Sequence, residues 1–258
     1  MGAIKILTED FVESSHQPEV LELTDGYMIL DNFLPPQQFA QMWNYFQVES
    51  YMRVDSTQYD GKWRLDDGMA MRGPTIGYKE KWHAQYPTGS AIDFVMAAIV
   101  SNKDTIAPLI GEMGKQWEQF TAFPSLYPAG AGLLWHRDST VDVGSYTYYG
   151  HPEWNIEWGG ELFVADIPQK KIPQEWGTFM KKPQTVVGGP ASGFTWSSHL
   201  DNRDANQQLM ERGVGYFIAP KPNRLVVLKG GTPHAVNKVR AAAGDHVRAS
   251  VSGFFKKL

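Results

Sequence analysis

The 258 residues are 42% hydrophobic and 20% charged, which is enough apolar surface for one sizeable core and argues against wholesale disorder. A net charge of −4 without any long Lys/Arg run leaves no footprint for non-specific nucleic-acid binding, and no apolar run reaches the ~18 residues of a membrane helix. With no cysteine, disulfides, a thiolate nucleophile and Cys-ligated zinc or iron–sulfur centres are excluded.

Met1-Gly2-Ala3-Ile4-Lys5 lacks the apolar stretch of a signal peptide, so a cytoplasmic protein is expected. Tyr27-Met28-Ile29-Leu30 reads as a strand, followed by a helix opening at Pro35-Pro36, where the missing N–H of proline costs nothing. Phe39, Met42, Trp43 and Phe46 recur at helical spacing as a core stripe. Residues 51–89 hold Tyr51, Tyr59, Trp63, Tyr78 and Trp82, aromatics suited either to a pocket lining or to the rim of a core. Trp63 to Gly68 reads as a strand entering a turn. Two helices follow, one over Ile92, Phe94, Val95, Met96, Ile99 and Val100, the other over Ile106, Leu109, Ile110, Met113 and Trp117.

After residue 120 short strands, glycines and aromatics dominate. Leu126 to Asp138 reads as an extended segment, on which His136 and Asp138 project to one side. The polar, proline-bearing stretch 168–214 reads as an insert, a lid or a binding loop, and its Gly188-Gly189-Pro190 lacks the context of a phosphate loop. Asn223 to Leu228 is continuously apolar, a buried strand, and the turn Gly230-Gly231-Thr232-Pro233 then delivers His234. The last strand alternates: Val247, Ala249, Val251 and Gly253 on one face, and His246, Arg248, Ser250, Ser252 and Phe254 on the other. A cationic, hydroxyl-bearing face suits the interior of a small barrel that binds an anion.

These residues compose a site. Two His and one carboxylate on one side of a metal, with the opposite side open, select non-heme Fe(II) for oxygen chemistry. His136, Asp138 and His234 supply that set. Arg248 follows His234 by 248 − 234 = 14 residues and can hold a carboxylate through two parallel hydrogen bonds. A dicarboxylate such as 2-oxoglutarate would chelate the metal at one end and meet Arg248 at the other, with Ser250 or Ser252 adding a hydroxyl.

His136-x-Asp138, His234 and Arg248 resemble the Fe(II)/2-oxoglutarate-dependent oxygenases of the prolyl-4-hydroxylase-like branch. Leu126 to Gly130, Thr147-Tyr148-Tyr149, Trp158 to Leu162, Pro220 to Val227 and Arg248 to Phe255 resemble that branch's strands in their order. The resemblance implies a mainly β fold with flanking helices: a double-stranded β-helix (jelly-roll, cupin-like) barrel over 120–255 and a helical support region over 1–119, in one domain. It implies Tyr127 and Tyr149 as further 2-oxoglutarate contacts. It also implies Fe(II), 2-oxoglutarate and O2 as requirements, and succinate and CO2 as co-products of hydroxylating a C–H bond. The retained Asp138 favours hydroxylation, desaturation or ring closure over halogenation. The His-to-Arg spacing and the 168–214 insert both exceed the family's usual pattern.

Three functions follow from this reading. The first is hydroxylation of a small molecule such as an amino acid or specialised metabolite. The second is a peptidyl, prolyl-type hydroxylase. The third is a metal-binding barrel without oxygenase activity, or a zinc hydrolase. Of the remaining histidines, His246 shares a face with Arg248, whereas His16, His83, His151 and His199 have no comparable context; Glu161 and Asp142 read as a satisfied barrel residue and a loop charge.

Overall fold

The computed structural model describes residues 16–54, 67–82, 84–138, 142–166, 209–211 and 213–258. The first half of the chain gives β1 (Glu19–Leu23), β2 (Tyr27–Asp31), α1 (Pro36–Val48), β3 (Met52–Arg53), β4 (Met71–Arg72), β5 (Ile76–Tyr78), β6 (Ala84–Gln85), α2 (Ile92–Ser101) and α3 (Lys103–Ile110). The second half gives β7 (Trp117–Tyr127), β8 (Leu133–His136), β9 (Asp142–Tyr149), β10 (Leu162–Ala165), β11 (Gly215–Ile218), β12 (Leu225–Lys229), β13 (His234–Val236) and β14 (Arg248–Lys257). One sheet runs β1-β2-β12-β9-β14-β7-β4-β3, with β5 attached to β7 and β6 to β5; a smaller one runs β11-β10-β13-β8.

Alternation along β14 sorts the larger sheet into two faces. Ala249, Val251 and Phe255 lie opposite Leu126, Pro124 and Phe120 of β7. They share one core with Met42 and Phe46 of α1, Val95 and Ile99 of α2 and Leu109 of α3. Burying each such side chain stabilises the fold by about 1.5–3 kcal/mol, so this helix-covered face anchors the molecule. On the other face Arg248, Ser250 and Ser252 stand opposite Tyr127, Ser125 and Phe123 of β7, and Ser250, Ser252 and Phe254 opposite Tyr149, Thr147 and Ser145 of β9. That face and the smaller sheet enclose a cavity lined from both. The two facing antiparallel sheets form the expected double-stranded β-helix.

Local chemistry sets the element ends. Pro36 occupies the first turn of α1 after Pro35. At the start of α2 the buried Asp93 carboxylate accepts hydrogen bonds from the Thr88 and Gly89 backbone N–H groups, at 2.8 Å each for the shorter contacts. α3 stops at Gly111, whose φ of 88° no longer belongs to a right-handed helix. The second helix therefore ends before Met113 and Trp117, which the sequence reading had included in it. Trp117 instead opens β7, fully buried, its indole N–H donating to the Gly111 carbonyl at 2.9 Å. An apolar period carried on by two further side chains hides the positive-φ stop that precedes them.

Other expectations shift as well. Leu126 to Asp138 is not one extended segment: β7 ends at Tyr127, a turn crosses Gly130, and β8 begins at Leu133. The expected helical support region over 1–119 holds strands as well as helices, and β2 is inserted between β1 and β12 of the larger sheet. Tyr51 and Tyr78 pack at the core rim and Trp82 is exposed, whereas Tyr59 and Trp63 lie outside the described residues. The 168–214 insert also lies outside them except for its last few residues. The long His-to-Arg spacing is filled by a 3-10 turn over Ala241–Ala243. Among the described residues no helix is long and apolar enough to cross a membrane.

A buried ion pair ties β2 to the entry of β12. Arg224 donates to Asp31 through Nε at 2.6 Å and Nη2 at 3.0 Å, and Lys221 Nζ adds a contact at 2.8 Å. Burial opposes ionisation of Asp31, yet the hydrogen bonds from Arg224 and Lys221 hold its carboxyl below the ordinary value. This depressed value makes the pair stabilising above the ordinary carboxylate range, and the stabilisation is lost as pH falls through the lower folded value. Asp31→Ala should strand the buried guanidinium and destabilise the fold by about 3–5 kcal/mol, measured by urea unfolding at neutral pH. The gap between variant and wild type should close on acidification.

Candidate metal centre

Short strands of the smaller sheet present the metal-ligating candidates. His136 ends β8, His234 opens β13, and the two stand directly opposite in the antiparallel ladder. Their ring centroids lie 4.3 Å apart. Asp138, two residues past His136, returns its carboxylate between them: Oδ1 is 3.8 Å from His136 Nε2 and Oδ2 is 3.5 Å from His234 Nε2. One ligand atom from each of the three falls within 4.8 Å of the others, and all three residues are buried.

The ring orientations follow from the backbone. His136 Nδ1 is 2.8 Å from the Leu134 carbonyl and His234 Nδ1 is 2.9 Å from the Thr232 carbonyl. A carbonyl only accepts, so each Nδ1 carries a proton, and Nε2 is the ring atom turned toward the carboxylate. Asp67 steadies the strand that carries His136: its Oδ1 accepts the Leu134 N–H at 2.7 Å and its backbone carbonyl accepts the Gly132 N–H at 2.8 Å. Two imidazole nitrogens and a carboxylate, gathered in one cavity, fit a divalent transition metal.

Arg248 lies deep in the same cavity, 1% exposed. Its contacts are long: Nη1 to Ser250 Oγ at 3.5 Å and Nη2 to the Tyr149 hydroxyl at 3.4 Å. The Tyr127 and Tyr149 rings flank the guanidinium at 5.1 and 4.8 Å. Its Nε has no hydrogen-bond partner, and among the described residues its hydrogen bonds go to hydroxyls, not to a carboxylate. Ser252 and Tyr127 line the cavity with it, and Ser252 Oγ sits 3.1 Å from Thr147 Oγ1. Burial pushes the Tyr127 phenol above its ordinary range, so it stays a neutral hydroxyl beside the cation. The structure thus brings His136, Asp138, His234, Arg248, Tyr127 and Ser252 to one cavity. Ser250 and Tyr149 meet it through Arg248.

His246 is not part of this group: it is exposed, its ring 4.2 Å from that of Trp158 and its Nε2 3.2 Å from Glu153. Glu161 accepts a hydrogen bond from Asn237 at 2.7 Å, and Asp142 pairs with Lys256 at 3.1 Å.

Three contributors were given no role at the site by the sequence reading. Gly160 has φ 74°, and a Cβ there would meet Arg248 Cδ at 2.9 Å, so the Gly-Gly pair leaves room for the buried side chain. His151 is buried and its Nε2–H donates to the Pro220 carbonyl at 2.7 Å. Arg72 also lines the cavity. A glycine pair before a strand could have signalled a close approach; nothing local marks His151 or Arg72.

No protein-family model and no curated protein matches the chain. Solved structures do. A prolyl-4-hydroxylase of Pseudomonas putida is 17% identical with a TM-score of 0.51, covering 90% of this chain and 93% of that one. A prolyl hydroxylase of Trichoplax adhaerens, in complex with a hypoxia inducible factor oxygen degradation domain peptide fragment, is 18% identical with a TM-score of 0.54, covering 90% and 84%. An oxidoreductase of the 2OG-Fe(II) oxygenase family from Burkholderia pseudomallei is 12% identical with a TM-score of 0.50, covering 90% and 85%. At these identities the likeness establishes the fold.

Gly160→Ala should cost about 1–2 kcal/mol from its left-handed backbone alone, seen as a lower urea midpoint. Burial lowers the His151 imidazole to about 4, with the Pro220 carbonyl working against the shift and Arg248 adding to it. The unfolded chain therefore binds the extra proton first, and stability should fall as pH drops from about 6.5 toward about 4. His151→Gln should flatten that part of the stability–pH curve.

Proposed function

We propose that the protein is an Fe(II)- and 2-oxoglutarate-dependent oxygenase that hydroxylates a C–H bond of a small molecule. The observation that carries this is Arg248: a guanidinium 1% exposed, with an unpartnered Nε, in the cavity that also holds His136, Asp138 and His234. Among the described residues this buried cation has no carboxylate partner, which is costly, and an anionic co-substrate entering the cavity offsets that cost. A structural metal site or a zinc hydrolase would give no reason for it. The fold shared with the solved oxygenase structures supports the same reading.

In this reading His136, Asp138 and His234 hold Fe(II) from one side. Arg248 receives the distal carboxylate of 2-oxoglutarate through two N–H groups, and the Tyr127 and Tyr149 hydroxyls and Ser250 and Ser252 complete its polar surround. Fe(II), when bound with 2-oxoglutarate and O2, would supply the oxidising power for C–H hydroxylation, with succinate and CO2 as co-products. The protein's own work is geometric. The Leu134 and Thr232 carbonyls fix the orientation of the two rings, and Asp138 brings its carboxylate beside both Nε2 atoms.

A small substrate is supported by the burial of all three ligands, each 7% exposed. A peptidyl substrate has one support of its own, the peptide held by the similar Trichoplax structure.

Anaerobic addition of Fe(II) and 2-oxoglutarate should produce a weak visible charge-transfer band, and oxygen should then yield succinate. His136→Ala or His234→Ala should abolish both signals in a folded protein. Asp138→Ala should lose hydroxylation. Arg248→Ala should raise the 2-oxoglutarate requirement by about 30-fold or more, the worth of a buried charge-assisted pair. An unchanged requirement removes Arg248 from that role.

A further inference from the structure

We infer that Asp67 is a positioning residue for the metal: its carboxylate holds a β-bulge that turns His136, rather than the neighbouring Trp135, toward His234. This rests on the reading of His136, Asp138 and His234 as metal ligands, and on no step of the oxygenase reaction. Along the ladder between β8 and β13, Leu133 pairs with Val236 and His136 pairs with His234. Leu134 and Trp135 of β8 therefore lie across from the single residue Ala235. Leu133 and His136 both line the cavity although they are three residues apart, which unbroken alternation would not allow. Regular pairing continued from Leu133 would set Trp135 opposite His234 and turn His136 to the outer face. The extra residue re-aims the imidazole, a known use of bulges beside functional sites. Trp135 is left on the outer face, stacked on Phe163 with ring centroids 6.3 Å apart.

Asp67 reaches this bulge from a distant part of the chain. The Leu134 N–H, inside the bulge, donates to Asp67 Oδ1 at 2.7 Å, and the Leu134 carbonyl faces His136 Nδ1 at 2.8 Å. One residue thus links the Asp67 carboxylate to the imidazole. The Asp67 backbone carbonyl takes the Gly132 N–H at 2.8 Å, so the entry to β8 is held at two points. Asp67 is buried, and a charge-assisted hydrogen bond shielded from water is a strong constraint on its partner. Gly68 makes the approach possible: its φ is 75°, and a Cβ there would collide with the Gly130 carbonyl oxygen. Without the Asp67 carboxylate the Leu134 N–H loses its charged acceptor, and the bulge loses the bond that selects it over the regular ladder.

Co(II), titrated into the metal-free protein at neutral pH and followed by its visible ligand-field bands, tests this without turnover. Asp67→Ala should bind Co(II) about 10–100-fold more weakly than the unsubstituted protein, the usual effect of removing a group that orients a metal ligand. Asp67→Asn keeps an acceptor oxygen at the same reach and should recover most of that affinity. Asp31→Ala, destabilised at the pairing of β2 with β12, should bind Co(II) as tightly as the unsubstituted protein, which separates positioning from lost stability. In the metal-free protein the Leu134 amide should exchange with deuterium about tenfold or more faster in Asp67→Ala than in Asp67→Asn. If Asp67→Ala shows no cooperative thermal transition, Asp67→Glu, whose carboxylate sits one methylene further out, takes its place and is judged by the same affinity. Absence of Co(II) binding by the unsubstituted protein overturns the metal reading and this inference with it. Normal binding there overturns this inference alone if Asp67→Ala weakens it by less than about threefold, or if Asp67→Asn weakens it as much as Asp67→Ala.

Discussion

A permanent positive charge buried at the bottom of a β-lined cavity is the constraint around which the rest of the structure is arranged. Arg248 cannot shed its proton, and its long contacts to two hydroxyls do not neutralise it. Its neighbours accommodate the charge without cancelling it. Two tyrosine rings offer their faces, Ser250 and Tyr149 offer hydroxyls, and Gly160 leaves out the side chain that would collide with the arginine stem. Such an arrangement is poor as a stabilising ion pair and good as a receptor for an anion.

The scaffold tolerates this because the two faces of the larger sheet do different jobs. The face against α1, α2 and α3 is apolar and close-packed, and supplies the stability. The opposite face carries arginines, hydroxyls and aromatic rings, and supplies the chemistry. The smaller sheet closes the cavity with short strands, and its two histidines meet because β8 and β13 pair in a register that sets them opposite each other. Backbone carbonyls then fix both imidazoles with Nε2 turned toward Asp138. The metal-binding geometry is thus written in backbone hydrogen bonds as much as in the ligands.

Much of this was legible in the chain. The alternation from Arg248 to Phe255 separates a helix-facing side from a cavity-facing side, because a strand's period of two leaves no other choice. The His-x-Asp pair and the distant His234 signalled a ligand set by residue type and context. The buried strand after Asn223 was readable from its unbroken apolar run. Less was readable where a stop depends on backbone angle: Gly111 ends α3 inside an apolar pattern that continues through Trp117. A two-residue strand such as Met71–Arg72 has no period to read, so Arg72 gave no sign of reaching the cavity.

The sequence by itself determined the kinds of side chain available and the face each strand residue would take, since covalent geometry and alternation act locally. Only the tertiary structure decided which distant faces meet. Strand pairing fixed His234 against His136 and set Arg72, Ser125 and Ser250 in one row across three strands. It also buried His151 between carbonyls contributed by two other segments. Register between strands far apart in the chain depends on the packing of the whole sheet, and no local pattern encodes it.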